Sequence, residues 1–475
     1  MKKLLSVREL KYKEALRDHC GVFGIYAPGC DVAKITYFAL HSLQHRGQES
    51  AGIAVSDGIK LRSIRNLGLV TSVFNEDNLN KLKGYVAIGH NRYSTTGGNI
   101  HANVQPVILS SHHKVFSVAH NGNIVNAIEL SKKLKNVKRF STSDTEVLAY
   151  TIYQSPGDKW KDKIINAAPL FQGAYSIVAC SKKRLYAFRD PWGFRPLVIG
   201  KLNGYYAIAS ETCALDTIGA EFLREVKPGE IIQVDKNGLR VLGEIARPNL
   251  KFCLFEYVYL ARPDSILNNV LVHSVRHKSG EILAREAPVK ADVVAAIPDS
   301  GTSSALGYAS GSGIPFGELL IKNRYIGRTF IQPEQHIREQ GVKLKFNPMK
   351  QMVKGKRVVI VDDSIVRGTT MKKIVEILRF CGAREIHLRI CSPPVRWPCF
   401  FGVDTPERRH LIAAKKTVSE IKKYIASDSL KYLSLKGLIK ASQQKSDTLC
   451  TACFTGKYPV KVDLNLKKSI LENNC

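Results

Sequence analysis

Two domains of different construction are predicted: an α+β half of antiparallel sheets with helices packed outside, then an α/β half on a parallel sheet. Three observations predict this. The 475 residues exceed what one core usually organises. Short alternating strands with Gly and Asn turns run from Cys20 to about residue 245, the texture of antiparallel sheet. From about residue 290, apolar runs lead into helical periods, the texture of βαβ units. The boundary falls near residues 245–265.

Residues 1–19 are polar and charged, and the texture changes abruptly at Cys20-Gly-Val-Phe-Gly-Ile-Tyr. Strands are read at 84–90, 115–120, 174–180 and 184–188, with a helix at 144–153. In the second half, 292–297 and 357–361 are buried strands. Met371, Ile374, Val375 and Leu378 then fall on one helix face, and Gly382 ends that helix. Ile386, Leu388 and Ile390 alternate as the next strand, completing a βαβ unit.

A hydrophobic share of 44% and a charged share of 24% fit a soluble globular protein. The longest apolar runs are strand-sized, which excludes a transmembrane helix, and no membrane partner is expected. The opening MKKLLS lacks an apolar continuation, and Glu9, Glu14 and Asp18 argue against a transit peptide, so a cytoplasmic location is expected. The formal charge of +30 favours anionic partners. It is spread along the chain without a finger, zipper or RNP motif, so no nucleic-acid partner is expected. Eleven cysteines, an odd number, suit a reducing compartment with thiols free for catalysis or metal binding.

The most legible site is Val361-Asp362-Asp363-Ser364-Ile365-Val366-Arg367-Gly368-Thr369-Thr370. Two carboxylates end a parallel strand, where open α/β sheets bind ligands. A loop with Gly and Thr then enters a helix N-terminus, whose N–H groups and dipole cradle phosphate. Paired carboxylates beside a phosphate suit ribose hydroxyls and Mg²⁺. The segment 358–370, VVIVDDSIVRGTT, resembles the phosphoribosyl-pyrophosphate (PRPP) signature of type I phosphoribosyltransferases. The resemblance implies that Asp362 and Asp363 engage ribose hydroxyls and metal, and that Gly368, Thr369 and Thr370 hold the 5′-phosphate. It also makes Pro298-Asp299-Ser300-Gly301 a pyrophosphate-side loop, with Ser300 a metal contact. Residues 322–330, with Lys322 and Arg324, resemble the loop that closes over PRPP.

Cys20 by itself reads as a small core residue. At an exposed N-terminus its α-amine could serve as base toward its own thiol. The segments 43–52 (LQHRGQESAG), 89–95 (GHNRYST), 120–123 (HNGN) and 143–146 (SDTE) resemble the N-terminal-nucleophile glutamine amidotransferases, over residues 20 to about 240. That resemblance implies an αββα sandwich, with Cys20 made the N-terminus by removal of residues 1–19. In it Arg92 pairs with the glutamine α-carboxylate and Asp144 holds the α-ammonium. Asn121 and Gly122 then form an oxyanion hole.

Cys450-Thr-Ala-Cys453 is a CxxC pair, with Cys253 and Cys399 distant in sequence. Spacing alone leaves a zinc site, a 4Fe–4S cluster and unrelated core thiols open. With their flanks, 253–265, 392–404 and 450–459, these segments resemble the iron–sulfur class of the amidophosphoribosyltransferases. The resemblance covers nearly all of the chain after residue 19. It implies a glutaminase domain at 20–250 and a phosphoribosyltransferase domain with the cluster-ligand segment at 251–475. Glutamine and PRPP would be the substrates, and 5-phosphoribosylamine, glutamate and pyrophosphate the products. Each subunit of a homotetramer would hold one Mg²⁺ and one 4Fe–4S cluster, the latter on Cys253, Cys399, Cys450 and Cys453. Purine nucleotides would act as feedback inhibitors. Two rivals are a glucosamine-6-phosphate synthase, which lacks the PRPP signature, and a PRPP-binding repressor, which lacks the Cys20 set.

Overall fold

The computed structural model describes residues 20–93, 98–111, 114–245, 250–323, 346–405 and 407–463. Residues 1–19 and Arg324 lie outside them.

The first half is two antiparallel sheets stacked face to face. Strands β1 (Gly21–Tyr26), β2 (Ser50–Ser56), β3 (Leu61–Leu67) and β4 (Val86–Arg92) belong to the first. The second opens with β5 (Val107–Ser111), β6 (Lys114–Ile124), β7 (Gly173–Ser181) and β8 (Leu185–Arg189). The first sheet is completed by β9 (Val198–Leu202), β10 (Tyr205–Ala209) and β11 (Glu221–Glu225), the second by β12 (Glu230–Asp235) and β13 (Gly238–Glu244). Among the described residues the orders are β11-β9-β10-β1-β4-β2-β3 and β13-β12-β8-β7-β6-β5. Val22, Val86 and Ile88 of one sheet share a core with Ala119, Val178 and Ala187 of the other. Helices cover the outer faces. Val32–Ser42 packs Ala33, Ala39 and Leu40 on Phe23 and Ile25. Asp144–Gln154 packs Val147, Leu148 and Ile152 beneath Phe116 and Ile177. This is the expected αββα sandwich. It also explains why β1 and β4 are buried throughout, since each has strands on both sides and layers on both faces.

The second half begins with β14 (Phe252–Cys253) and a hairpin, β15 (Ile266–Leu267) with β16 (Val270–Leu271). Then come β17 (Val293–Ala296) and a second hairpin, β18 (Leu320–Lys322) with β19 (Phe346–Pro348). β20 (Arg357–Asp362), β21 (Glu385–Ile390), β22 (Ser429–Tyr432) and β23 (Leu449–Cys450) follow. Strands β17-β20-β21-β22 form a parallel sheet. The run Val358-Val359-Ile360-Val361 is apolar at every position because both faces are covered. Val359 and Val361 meet the helices Val272–Glu286 and Thr302–Ser312. Val358 and Ile360 meet Thr369–Phe380 and Val418–Ile425. Among the described residues, no helix is long and apolar enough to cross a membrane.

Candidate active site

Cys20 sits immediately ahead of β1, at the end where Gly21 pairs with Asn91 of β4. That register brings it beside Arg92 and Tyr93, and its Sγ lies 3.5 Å from the Tyr93 carbonyl oxygen. Burial pushes the Cys20 thiol up to about 11. The Tyr93 contact and Arg92 pull it down, and Asp144 and Glu49 add to the rise. Cys20, Arg92 and Asp144 therefore share one electrostatic neighbourhood. At neutral pH such a thiol is protonated and needs a base before it can attack.

Asn121 and Gly122 lie on β6, which packs against β1 and β4 from the facing sheet. The Asn121 amide is buried, and neither its Nδ2 nor its Oδ1 finds a hydrogen-bond partner. An orphaned buried amide is costly unless a ligand uses it. Gly122 has φ +152°, and a Cβ there would lie 2.0 Å from the Ala174 carbonyl oxygen, so no other residue fits. Asp144 opens the helix Asp144–Gln154, where Ser143 caps Thr145 N–H at 3.2 Å. The Asp144 Oδ2 accepts from Ile124 N–H at 3.0 Å, tying the helix end to β6. Ser94 and Thr95 of the motif lie outside the described residues.

Behind Cys20 is a buried charge network that sequence reasoning missed. Arg46 donates Nε to the Cys20 carbonyl at 3.2 Å and pairs with Glu256 and Glu211. Glu256 also accepts from Arg195 Nη1 at 3.0 Å. His45 Nε2, the Ser265 hydroxyl and the Arg262 N–H also reach Glu211. Two buried Glu facing two buried Arg satisfy one another without solvent. The signal that could have found them is Arg46 inside the quoted LQHRGQESAG segment; Glu256, three residues after Cys253, gave none.

At the second site, β17 and β20 end side by side. Asp362 closes β20, and Asp363 is buried just beyond it. Burial raises the Asp363 carboxyl, while hydrogen bonds from Ser300 and Ser364 and the charge of Arg276 pull it back. Ser300 and Asp363, 63 positions apart in the chain, are thus in contact. Gly301 packs where a Cβ would lie 2.6 Å from the Val361 carbonyl oxygen, which brings the two loops together. Gly368, at φ +79°, turns the chain into the helix Thr369–Phe380. The Thr369 hydroxyl at the first turn is buried and without a partner, a second orphan facing a helix N-terminus. Lys322 forms an ion pair with Asp299 of the facing loop.

Cys253, Cys399, Cys450 and Cys453 line a single pocket with Phe194, Arg195, Phe255 and Phe401. The parallel pairing of β14 with β23 sets Cys253 directly opposite Cys450. The Cys453 carbonyl accepts from Arg396 and Trp397 N–H at 3.0 and 3.1 Å, joining the 392–404 segment. Four thiols on apolar walls with one guanidinium suit an anionic thiolate-bound group. No group of three or more His, Cys, Asp or Glu among the described residues is set to hold a single metal ion. Cys30, Cys180, Cys213, Cys381 and Cys391 stand as free thiols elsewhere.

Residues 90–217 match the glutamine amidotransferase domain, and residues 264–391 match the phosphoribosyl transferase domain. The chain is 47% identical to the amidophosphoribosyltransferase of Synechococcus elongatus, covering 96% of this chain and 94% of that one. It is likewise 47% identical to that of Bacillus subtilis, covering 94% and 96%. A solved structure described as glutamine PRPP amidotransferase from B. subtilis complexed with ADP and GMP superposes with a TM-score of 0.89 at 46% identity. It spans 94% of this chain and 98% of that chain. The chain belongs to the amidophosphoribosyltransferase family, and its activity is the glutamine-dependent amination of PRPP in purine biosynthesis.

Proposed function

We propose that Cys20, freed at the N-terminus by removal of residues 1–19, is the nucleophile of the glutaminase half-reaction. The observation that carries this reading is the orphaned amide of Asn121, buried on the strand that faces Cys20. The α-amine of Cys20 takes the thiol proton, and sulfur attacks the side-chain amide carbon of glutamine. Asn121 Nδ2 and Gly122 N–H stabilise the oxyanion of the tetrahedral intermediate. The amine returns the proton to the leaving nitrogen, which departs as ammonia, and water hydrolyses the thioester to glutamate. Arg92 grips the α-carboxylate and Asp144 the α-ammonium.

At the second site, Asp362 and Asp363 take the ribose hydroxyls of PRPP, and Gly368, Thr369 and Thr370 take its 5′-phosphate. Lys322 would pair with the pyrophosphate, and so would Arg324, which lies outside the described residues. Ser300, Asp362 and Asp363 would hold Mg²⁺, which when bound neutralises the leaving pyrophosphate. Ammonia forms the new bond at C1 as pyrophosphate departs, giving 5-phosphoribosylamine. Cys253, Cys399, Cys450 and Cys453 would hold a 4Fe–4S cluster that ties three chain segments together and takes no part in electron transfer. The four thiols lining one pocket support a shared thiolate-bound centre, and the resemblance of their flanks to the iron–sulfur class favours the cluster over zinc. The enzyme is proposed to work in the cytoplasm as a homotetramer inhibited by purine nucleotides. The test is Cys20→Ala. It should abolish glutamine-dependent synthesis and spare synthesis from free ammonia; loss of both would refute the division of labour.

A further inference from the structure

The strand that carries Asn121 and Gly122 rests on a loop from the other half of the chain. Asn123 donates Nδ2 to the Phe400 carbonyl at 2.9 Å. Alongside, Gly402 approaches so closely that a Cβ on it would lie 3.0 Å from both the Cα and the carbonyl carbon of Gly122. Two glycines, 280 positions apart, thus meet backbone to backbone. The loop is itself clamped. The Phe401 carbonyl accepts from Arg195 Nε and Nη2 at 2.9 and 2.6 Å. Its ring stacks on Phe194 at 4.4 Å between centroids and 13° between planes. Arg195 is fixed in turn by Glu256 at 3.0 Å.

This contact bears on catalysis because the Asn121 side chain has no internal hydrogen bond to set its position. Only its backbone does so. On one side β6 is held by β7, where Asn121 pairs with Ser176 and Gly122 with Tyr175. Elsewhere Gly122 abuts the 400–402 loop. Oxyanion donors act through pre-set geometry, and a shift of a few tenths of an ångström weakens them.

We propose that Phe400 and Gly402, from the phosphoribosyltransferase half, are positioning residues for glutamine hydrolysis, holding Asn121 and Gly122 against the developing oxyanion. The inference rests on the reading of Asn121 and Gly122 as oxyanion donors. It assigns to that site a wall that the glutaminase half does not contain.

Two variants approach the contact from opposite sides. Gly402→Ala presses a methyl group on Gly122, and Asn123→Ala removes the hydrogen bond to Phe400. Each should lower kcat for glutamine hydrolysis about tenfold, short of the ~10²–10³ lost with a whole oxyanion donor, with KM for glutamine unchanged. Iodoacetamide supplies the readout that a merely structural role would not separate. Its reaction with the Cys20 thiolate forms a sulfur–carbon bond and expels iodide, with no tetrahedral oxyanion. Its rate should be unchanged in both variants, as should ammonia-dependent synthesis. The inference is overturned if glutamine hydrolysis is unaffected in both variants. It is also overturned if alkylation and ammonia-dependent synthesis fall in step with hydrolysis. Asn121→Ala separates the two levels. If it is silent, the oxyanion reading fails and takes the inference with it. If it is damaging while both loop variants are silent, only the inference falls.

Discussion

Arg46 and Glu256 form a buried two-point ion pair between the halves of the chain, Nη1–Oε2 at 3.2 Å and Nη2–Oε1 at 3.0 Å. The same guanidinium holds the Cys20 carbonyl. Whatever displaces Glu256 therefore reaches Cys20 through one side chain. Glu256→Gln keeps the shape and removes the charge, leaving Arg46 and Arg195 under-compensated in a buried site. Breaking such a pair typically costs about 3–5 kcal/mol. Urea unfolding should show a loss of that order, and glutamine-dependent synthesis should fall more than ammonia-dependent synthesis. Equal loss of both activities in protein that remains folded would contradict the link to Cys20.

The Cys20 thiol supplies a pH test. Burial holds it at about 11, and only the thiolate reacts. Its alkylation should therefore climb with pH through the neutral range and level off only near that value. A chain that begins at Cys20 places an amine of pKa about 8 beside the thiol. Glutamine hydrolysis by that form should rise with pH and level off above the amine pKa. A leader-retaining protein that hydrolyses glutamine at full rate near pH 7 would refute the need for the free amine.

Thr369 carries a buried hydroxyl with no partner, at the first turn of a helix. Thr369→Val retains the shape and removes the donor. In the ligand-free protein this should be neutral or slightly stabilising, because an unsatisfied polar group is lost. KM for PRPP should rise about tenfold, the loss of roughly 1.5 kcal/mol from one charge-assisted hydrogen bond. Unchanged KM would detach this turn from the phosphate.

The cysteine pocket predicts a graded result. Purified protein should contain about four iron and four sulfide per chain if the proposed cluster is present. Cys450→Ser should lose most of both and unfold at lower denaturant concentration. Cys391→Ser, also buried but outside the pocket, should retain them. One zinc per chain and no iron in active protein would replace the cluster reading.

Coupling between the half-reactions is expected to require PRPP. Glutaminase should be slow without PRPP and accelerate on its addition, and Asp362→Asn should blunt that acceleration. The loop at 322–330, which resembles the one that closes over PRPP, is the candidate route, and beyond Asn323 it lies outside the described residues. If glutaminase runs equally fast without PRPP, the coupling idea is falsified.

What was legible in the sequence was local. The DD turn, its glycine and its threonines are adjacent, so strand, loop and helix N-terminus could be read together, and the fold places them as expected. β6 ran longer than the 115–120 read from alternation. Its pairing with β7 continues through His120-Asn121-Gly122-Asn123, where polar residues end the apolar signal though the ladder does not stop. The spacing of the cysteines left three readings open, because nothing local shows that Cys253 lies opposite Cys450. Glu256 and Arg195 were invisible for a related reason: a charged residue looks solvated until its partner, here 61 positions away, is brought against it.

The pairing of Cys253 with Cys450 sets an order of events during synthesis. The ribosome completes the glutaminase half long before residue 400 emerges, and Gly122 is then held by β7 but lacks the 400–402 loop. Only when the segments near 400 and 450 arrive can the loop, the pocket and β6 close on one another. A chain terminated early therefore carries Cys20 without the support proposed for its oxyanion donors. Translation errors would then yield fragments that consume glutamine more slowly than the complete chain.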